Sequence, residues 1–198
     1  IITFFNMIEI DNIIDLLIGC IEILIDSHPI QSQMSYCDKL NQQKEAALKD
    51  VKTKPGAALK VALEGLPVRE KNVGKKPEKK SKATKEEEAA YKQAKADFEA
   101  EVKKARNTAA ECVLSVLCSI ESAKIPAAVK ELDDEECDTL IKYVYRGFSE
   151  RTEVEEKGVK KMKATYDCNL LLKTHEEIIK KAGGNGPIIR TIHTRLEV

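Results

Sequence analysis

Apolar residues along this chain recur at steps of three and four, the period of a buried helical face, and no useful run of strict alternation occurs. Residues 56–66, "GAALKVALEGL", place Leu59, Leu63 and Leu66 on one side of a short helix. Pro67 ends it, because the residue before a proline resists the α region. Residues 69–85 hold eight bases with no apolar period apart from Val73, the pattern of a solvated loop. Thr84 with Glu87 then forms a capping-box pattern that opens a long helix. Tyr91, Ala94, Phe98, Val102, Ala105, Ala109, Val113, Val116 and Ile120 carry its period forward. Its second half, "AAECVLSVLCSI", is apolar nearly all round, which predicts burial on several sides.

"IPAAVKEL" predicts a short helix with Pro126 in its first turn, and Asp133 with Glu136 marks the start of the next. That next helix holds "DTLIKYVYRGF", residues 138–148. Cys137, Leu140, Ile141, Val144, Tyr145 and Phe148 form its stripe, with Tyr143 about 100° and Arg146 about 160° from Val144. Phe148 is therefore expected in the core, and Tyr143 and Arg146 are expected to be free for a partner. Residues 149–160 read as a charged connection, and 161–184 as a further helix marked by Met162, Tyr166, Leu170 and Ile178. Lys180 and Lys181 suit that helix's negative end, and Gly183 or Gly184 its left-handed cap. Gly186-Pro187 starts a last helix with Ile188, Ile189, Ile192 and Leu196 on its apolar side. The fold class is all-α, an array of about six helices joined by short turns with one long basic insertion.

The first 33 residues change this picture. They contain eleven isoleucines, no Lys or Arg, and five acids: Glu9, Asp11, Asp15, Glu22 and Asp26. A membrane span of ~20 apolar residues does not accommodate carboxylates at that density. Neither the basic start nor the small-residue cleavage site of a signal peptide is present. Composition shifts sharply at Met34, so residues 1–33 are expected to be an extension dispensable for the core, with Met34 as the native start. The whole chain is electrically balanced, with 33 bases and 33 acids, yet residues 34–198 carry 33 bases against 28 acids. Six cysteines (20, 37, 112, 118, 137 and 168) form no C-x-x-C pair and read as small buried hydrophobes of a reducing cytosol.

No phosphate-loop, dinucleotide, zinc-protease or nucleophile-elbow motif occurs. "AGGNGP" at 182–187 follows a helix instead of a strand, so it reads as a cap. His175 in "THEE" lies beside carboxylates on a charged helix and reads as a surface or interface residue, not a base. No catalytic residue, metal ligand, cofactor or small-molecule substrate is expected. The basic run at 69–85 lacks stacking aromatics and meets Glu86–Glu88 at once, which argues against nucleic-acid binding. A lysine-rich helical nucleic-acid-binding protein nevertheless stands as the alternative reading.

With the helices placed, the chain resembles the subunit 5 (16 kDa) family of the actin-related protein 2/3 complex. The carrying residues are "LIKYVYRGF" at 140–148, "LLKTHEEIIKKAGG" at 171–184 and "GPIIRTIHTR" at 186–195. "GAALKVALEGLPV" at 56–68 and the apolar central helix add to it. The resemblance implies a superhelix-like all-α fold and a non-enzymatic role in a seven-subunit cytoplasmic, cytoskeletal machine that nucleates branched actin filaments. Implied partners are the β-propeller subunit 1, subunit 4 and, through an N-terminal tail, the actin-related protein 2 subunit. Tyr143, Arg146, His175, Arg190 and Arg195 are the candidate partner-interface residues.

The chain departs from the family pattern in three places. Residues 34–55, the expected tail, are short and carry both signs of charge. The stretch at about 69–102 reads as an insertion into a helical core at 56–198. Thr174 and Pro187 stand where family members carry an aromatic and a small polar residue.

Overall fold

A computed structural model describes residues 34–79, 84–156, 159–194 and 198. The expectations for residues 1–33, Leu196 and Arg195 lie outside the described residues. Residues 35–198 form one compact unit. Its helices, in chain order, are α1 (Tyr36–Asp50), α2 (Pro55–Leu63), α3 (Glu70–Val73), α4 (Lys85–Cys118), α5 (Ile125–Glu131), α6 (Asp134–Ser149), α7 (Cys168–Lys181) and α8 (Gly186–Thr194). A short antiparallel ribbon, β1 (Arg151–Glu156) and β2 (Val159–Ala164), lies between α6 and α7. The all-α class holds, with eight helices among the described residues.

Helix α4 is the axis of the body. Its 34 residues span ~51 Å at 1.5 Å per residue. The capping box at its start is present, with the Thr84 hydroxyl accepting from the Glu87 backbone and the Glu87 carboxylate accepting from Thr84 N–H. The first half is mostly exposed and buries only Phe98, and the second half buries Val102, Ala109, Cys112, Val113, Leu114, Val116 and Leu117. Helices α1, α2 and α6 pack around α4, α5 lies on α2, and α7 and α8 close over α5 and α6.

Four expectations need correction. The stretch expected to be an N-terminal tail is helix α1, which buries Cys37, Leu40 and Ala47 against α2 and α4. The i, i+3 and i+10 spacing of these residues is a helical face diluted by charge. Within the stretch expected to be a solvated loop, Glu70–Val73 form a helical turn.

Residues 149–160 and the start of the expected 161–184 helix instead form the ribbon, and Met162 is 64% exposed. The ribbon escaped the period test because neither of its faces is buried, so its sequence "RTEVEE…VKKMKA" alternates charge with charge. Helix α7 begins only at Cys168, where the Asp167 side chain accepts from Asn169 N–H.

Helix α6 departs furthest from the single-stripe expectation. Its apolar buried arc runs from Tyr143 through Val144 to Ile141, about 160° by helical phase, and Lys142 is buried outside it. Tyr143 is wholly buried, Phe148 is only half-buried, and Tyr145 is 36% exposed. The arc is wide because α6 meets α4 on one flank and α7 and α8 on the other. Gly147 lets these neighbours approach: a Cβ there would lie 2.9 Å from Leu114 of α4 and 3.0 Å from Leu171 of α7.

Candidate docking surface

Helices α6, α7 and α8 bring most of the candidate interface residues to one end of the body, but not in the arrangement the sequence pattern suggests. Tyr143 is interior. Its hydroxyl has no hydrogen-bond partner, and burial pushes its pKa well above the ordinary tyrosine range. A side chain removed from water in this way offers nothing to a partner.

Arg146 is an internal brace. Its guanidinium donates to the Arg106 carbonyl at 3.3 Å and to Asn107 Oδ1 at 2.6 Å, both on α4. Its Nε pairs with Glu150 at 3.0 Å, and the side chain is 19% exposed. The 160° phase that seemed to aim Arg146 at solvent aims it at the flank of α4, a helix long enough to run past α6.

Arg190 reaches from α8 to Asp138 on α6, with Nε and Nη2 donating at 2.5 and 2.9 Å. Lys142 adds a second tie between these helices, donating to Thr194 Oγ1 at 2.7 Å. Burial lowers the Lys142 pKa below lysine's ordinary range, against the opposing pull of Asp138. Asp138, Lys142 and Tyr145 fall at i, i+4 and i+7, so one ridge of α6 faces both closing helices. Tyr145 continues that ridge to α7, where its hydroxyl shares a hydrogen bond of 3.1 Å with His175 Nε2. The two rings stand 5.6 Å apart at a tilt of 57°.

Of the expected set, His175 stays partly exposed and the Arg190 side chain is 51% exposed, and further residues join them. Tyr145 and His175 sit beside Leu172, which is 56% exposed and one helical turn before His175 on the same flank of α7. On α8, Ile189 and Ile192 are 55% and 69% exposed. They point away from α6, because Arg190 and Thr194 occupy the side that faces it. Lys180, which pairs with Glu176 and Glu177, adds charge near the end of α7. An aromatic and aliphatic centre with a charged margin is the anatomy of a protein-binding face.

A signal for Leu172 was present: Leu170, Leu171 and Leu172 are consecutive, and at about 100° per residue they cannot all face one core. Nothing local distinguishes Tyr145 from Tyr143. Among the described residues, no group of three His, Cys, Asp or Glu side chains is placed to hold a metal.

The connection from α7 to α8 is set by glycine. Gly183 has φ +66°, and Gly183 and Gly184 donate to Lys180 O and Ile179 O, each at 3.2 Å. This is the paired-bond helix stop that the left-handed residue makes possible. Lys181 turns to the carbonyls of Val129 and Leu132 and to Cys137, closing the end of α5 instead of its own helix. Thr174, wholly buried, satisfies its hydroxyl on the Leu170 carbonyl at 2.9 Å.

Residues 80–198, which run from the approach to α4 through α8, match the family model of the ARP2/3 complex 16 kDa subunit (p16-Arc). The chain belongs to the p16-Arc family. The p16-Arc match takes in the long helix α4, the α6 signature and both closing helices, and it starts after the α2 segment. The chain is 36% identical over 86 residues to the actin-related protein 2/3 complex subunit 5-like protein of Homo sapiens, covering 43% of this chain and 48% of that one. It is likewise 36% identical over 86 residues to subunit 5-B of Xenopus laevis, with the same coverage. To subunit 5 of Dictyostelium discoideum it is 33% identical over 89 residues, covering 45% of this chain and 54% of that one. The chain spans about half the length of the curated relatives it matches.

Proposed function

We propose that this chain is a non-catalytic structural subunit of an actin-related protein 2/3 complex, supporting the nucleation and branching of actin filaments. The observation that carries the reading is the p16-Arc match across residues 80–198, which coincides with the helices that build the α6–α7–α8 end of the body. Relatives matched over this region are named as subunits of that complex.

Docking on the propeller subunit or subunit 4 is assigned to the flank of Tyr145, Leu172 and His175. A half-wet aromatic beside an exposed leucine gains by burial, at roughly 25 cal/mol per Å² of apolar surface. Arg190, through Asp138, and Arg146, through α4, support this face by fixing α8 and α6. Helix α1 is committed to the body and is not assigned a tethering role.

Affinity capture of the tagged full chain from its own cells tests the reading. The expected result is stoichiometric recovery of the two actin-related proteins and the propeller subunit. A chain that purifies alone, or with nucleic acid removable by nuclease, contradicts it.

A further inference from the structure

The β1–β2 ribbon joins α6 to α7 without packing extensively on any helix. Its strands pair from Arg151↔Ala164 to Glu156↔Val159, and among the described residues the sheet has no third strand. The base is tied by Thr165 N–H donating to Glu150 O at 3.2 Å and by the 2.7 Å bond between the Thr152 and Thr165 hydroxyls. A two-stranded hairpin in water is marginally stable at best, so this segment opens without unfolding the helical body.

Thr152 begins the sequence "TEVEE", with acids one, three and four residues after it: Glu153, Glu155 and Glu156. An acidophilic protein kinase reads carboxylates at such positions on an extended substrate, by complementary charge. Six Ser or Thr residues of the chain have an acid three residues on, and only Thr152 has one at the next position as well. The fold separates them further. Thr84, Thr108, Thr174 and Thr194 lie at or in helices, with their hydroxyls bonded to Glu87 N–H, Lys104 O, Leu170 O and Lys142 Nζ. Asp38, the acid that follows Ser35, is inside the first turn of α1. Thr152 is exposed on a strand, and the exposed Glu153 and Glu155 follow it in extended backbone.

We propose that Thr152 is a phosphorylation site for an acidophilic Ser/Thr kinase, and that its phosphate closes the ribbon by pairing with Lys163. In the transfer, Thr152 Oγ1 forms a bond to the γ-phosphorus of ATP. The bond from that phosphorus to the β–γ bridging oxygen breaks, ADP leaves, and the hydroxyl proton passes to the catalytic base of the kinase. The product carries about two negative charges at pH 7 and three strong acceptor oxygens.

Strand register supplies the phosphate's partner. Lys163 stands directly opposite Thr152, where facing side chains start about 5 Å apart. Lys163 is exposed and forms no ion pair among the described residues. Thr165, whose hydroxyl already bonds that of Thr152, is a second donor. The nearby carboxylates are turned or bound elsewhere. Alternation puts Glu153 and Glu155 on the other face, Glu153 is paired with Lys160 at 3.1 Å, and Arg146 holds Glu150 at 3.0 Å. Glu156 lies four residues on, about 13 Å along the strand.

The test incubates the full chain with ATP and purified casein kinase 2, an enzyme of that specificity, and maps phosphate by tandem mass spectrometry. Phosphate is expected on Thr152 ahead of every other hydroxyl. Thr152→Val should lower incorporation at least ten-fold, and Thr152→Ser should restore it. Glu155→Gln should slow modification at least ten-fold, whereas Glu111→Gln, which removes the acid three residues after Thr108, should leave the rate unchanged. In the phosphorylated chain, amide exchange across residues 151–156 and 159–164 should slow at least five-fold. Lys163→Gln should abolish that slowing while still accepting phosphate.

No phosphate on Thr152, or phosphate on other hydroxyls in its place, overturns the site, as does an unchanged rate in Glu155→Gln. Equal or faster ribbon exchange after phosphorylation overturns the pair with Lys163. Neither measurement involves the larger complex, so failure of this site and failure of the subunit assignment are told apart.

Discussion

Tyr143 buries a hydroxyl that bonds to nothing, in a pocket shared with Tyr36, Cys112, Arg106 and Arg146. An unsatisfied buried hydroxyl costs about 1–3 kcal/mol. Tyr143→Phe is therefore expected to leave stability unchanged or raise it, whereas Tyr143→Ala should cost about 3–5 kcal/mol. Chemical denaturation of both variants checks this, and a loss of more than about 1 kcal/mol in the Phe variant would show that the hydroxyl has a partner. Arg146 behaves oppositely to its sequence phase. Its charged bonds to α4 should make Arg146→Ala cost about 1–3 kcal/mol, well above the ~0.5 kcal/mol of an exposed site. Cys112, buried beside Tyr143, has its thiol pushed up to about 11 from 9.0, burial outweighing the Lys44 charge. A folded pKa above the unfolded one gives stability that is whole below pH ~9 and drains away as the pH rises towards 11. Denaturation midpoints should fall across that window, and Cys112→Ala should flatten the fall. The apolar spacing around these residues was legible. Which of two neighbouring tyrosines goes inside was not, because that depends on where α4 and α1 arrive.

Helix starts were the most legible elements, because a cap is local chemistry. Both capping boxes, Thr84 with Glu87 and Asp133 with Glu136, are formed as their spacing implies. Asp133→Ala should cost about 1 kcal/mol of global stability, since α6 sits in the core. Thr84→Ala should instead show as faster amide exchange in the first turn of α4, with the global unfolding midpoint unchanged. That end projects from the body, so its fraying does not propagate. Helix α1 was hidden because only three of its fifteen residues are buried, and its charges resemble a tail. The ribbon was hidden for the converse reason, since a strand with no buried face has no apolar alternation to read. Lys181 marks the limit of local reasoning: its charge is placed for its own helix end, yet its bonds go to α5, a partner set by tertiary packing.

At the scale of the whole molecule, four of the six exposed large hydrophobic side chains among the described residues, Tyr145, Leu172, Ile189 and Ile192, lie on α6, α7 and α8. There the hydrophobic residues are exposed in a set that the interior does not need. Tyr145 and Leu172 are the two whose removal should separate docking from folding, because both are more than a third exposed. The Tyr145–His175 bond is half-wet and contributes modestly to stability, about 0.5–1.5 kcal/mol. The measurement that tests the central claim most directly is a binding titration of the full chain against the complex lacking this subunit, run beside thermal unfolding of the free chain. The account predicts one-to-one binding of the wild-type chain. It also predicts at least ten-fold weaker binding of the Tyr145→Ala, Leu172→Glu double variant, about 1.4 kcal/mol or more, with unfolding shifted by no more than a few degrees. Failure of the wild-type chain to bind would contradict the subunit assignment, and equal binding of a folded double variant would contradict the docking face.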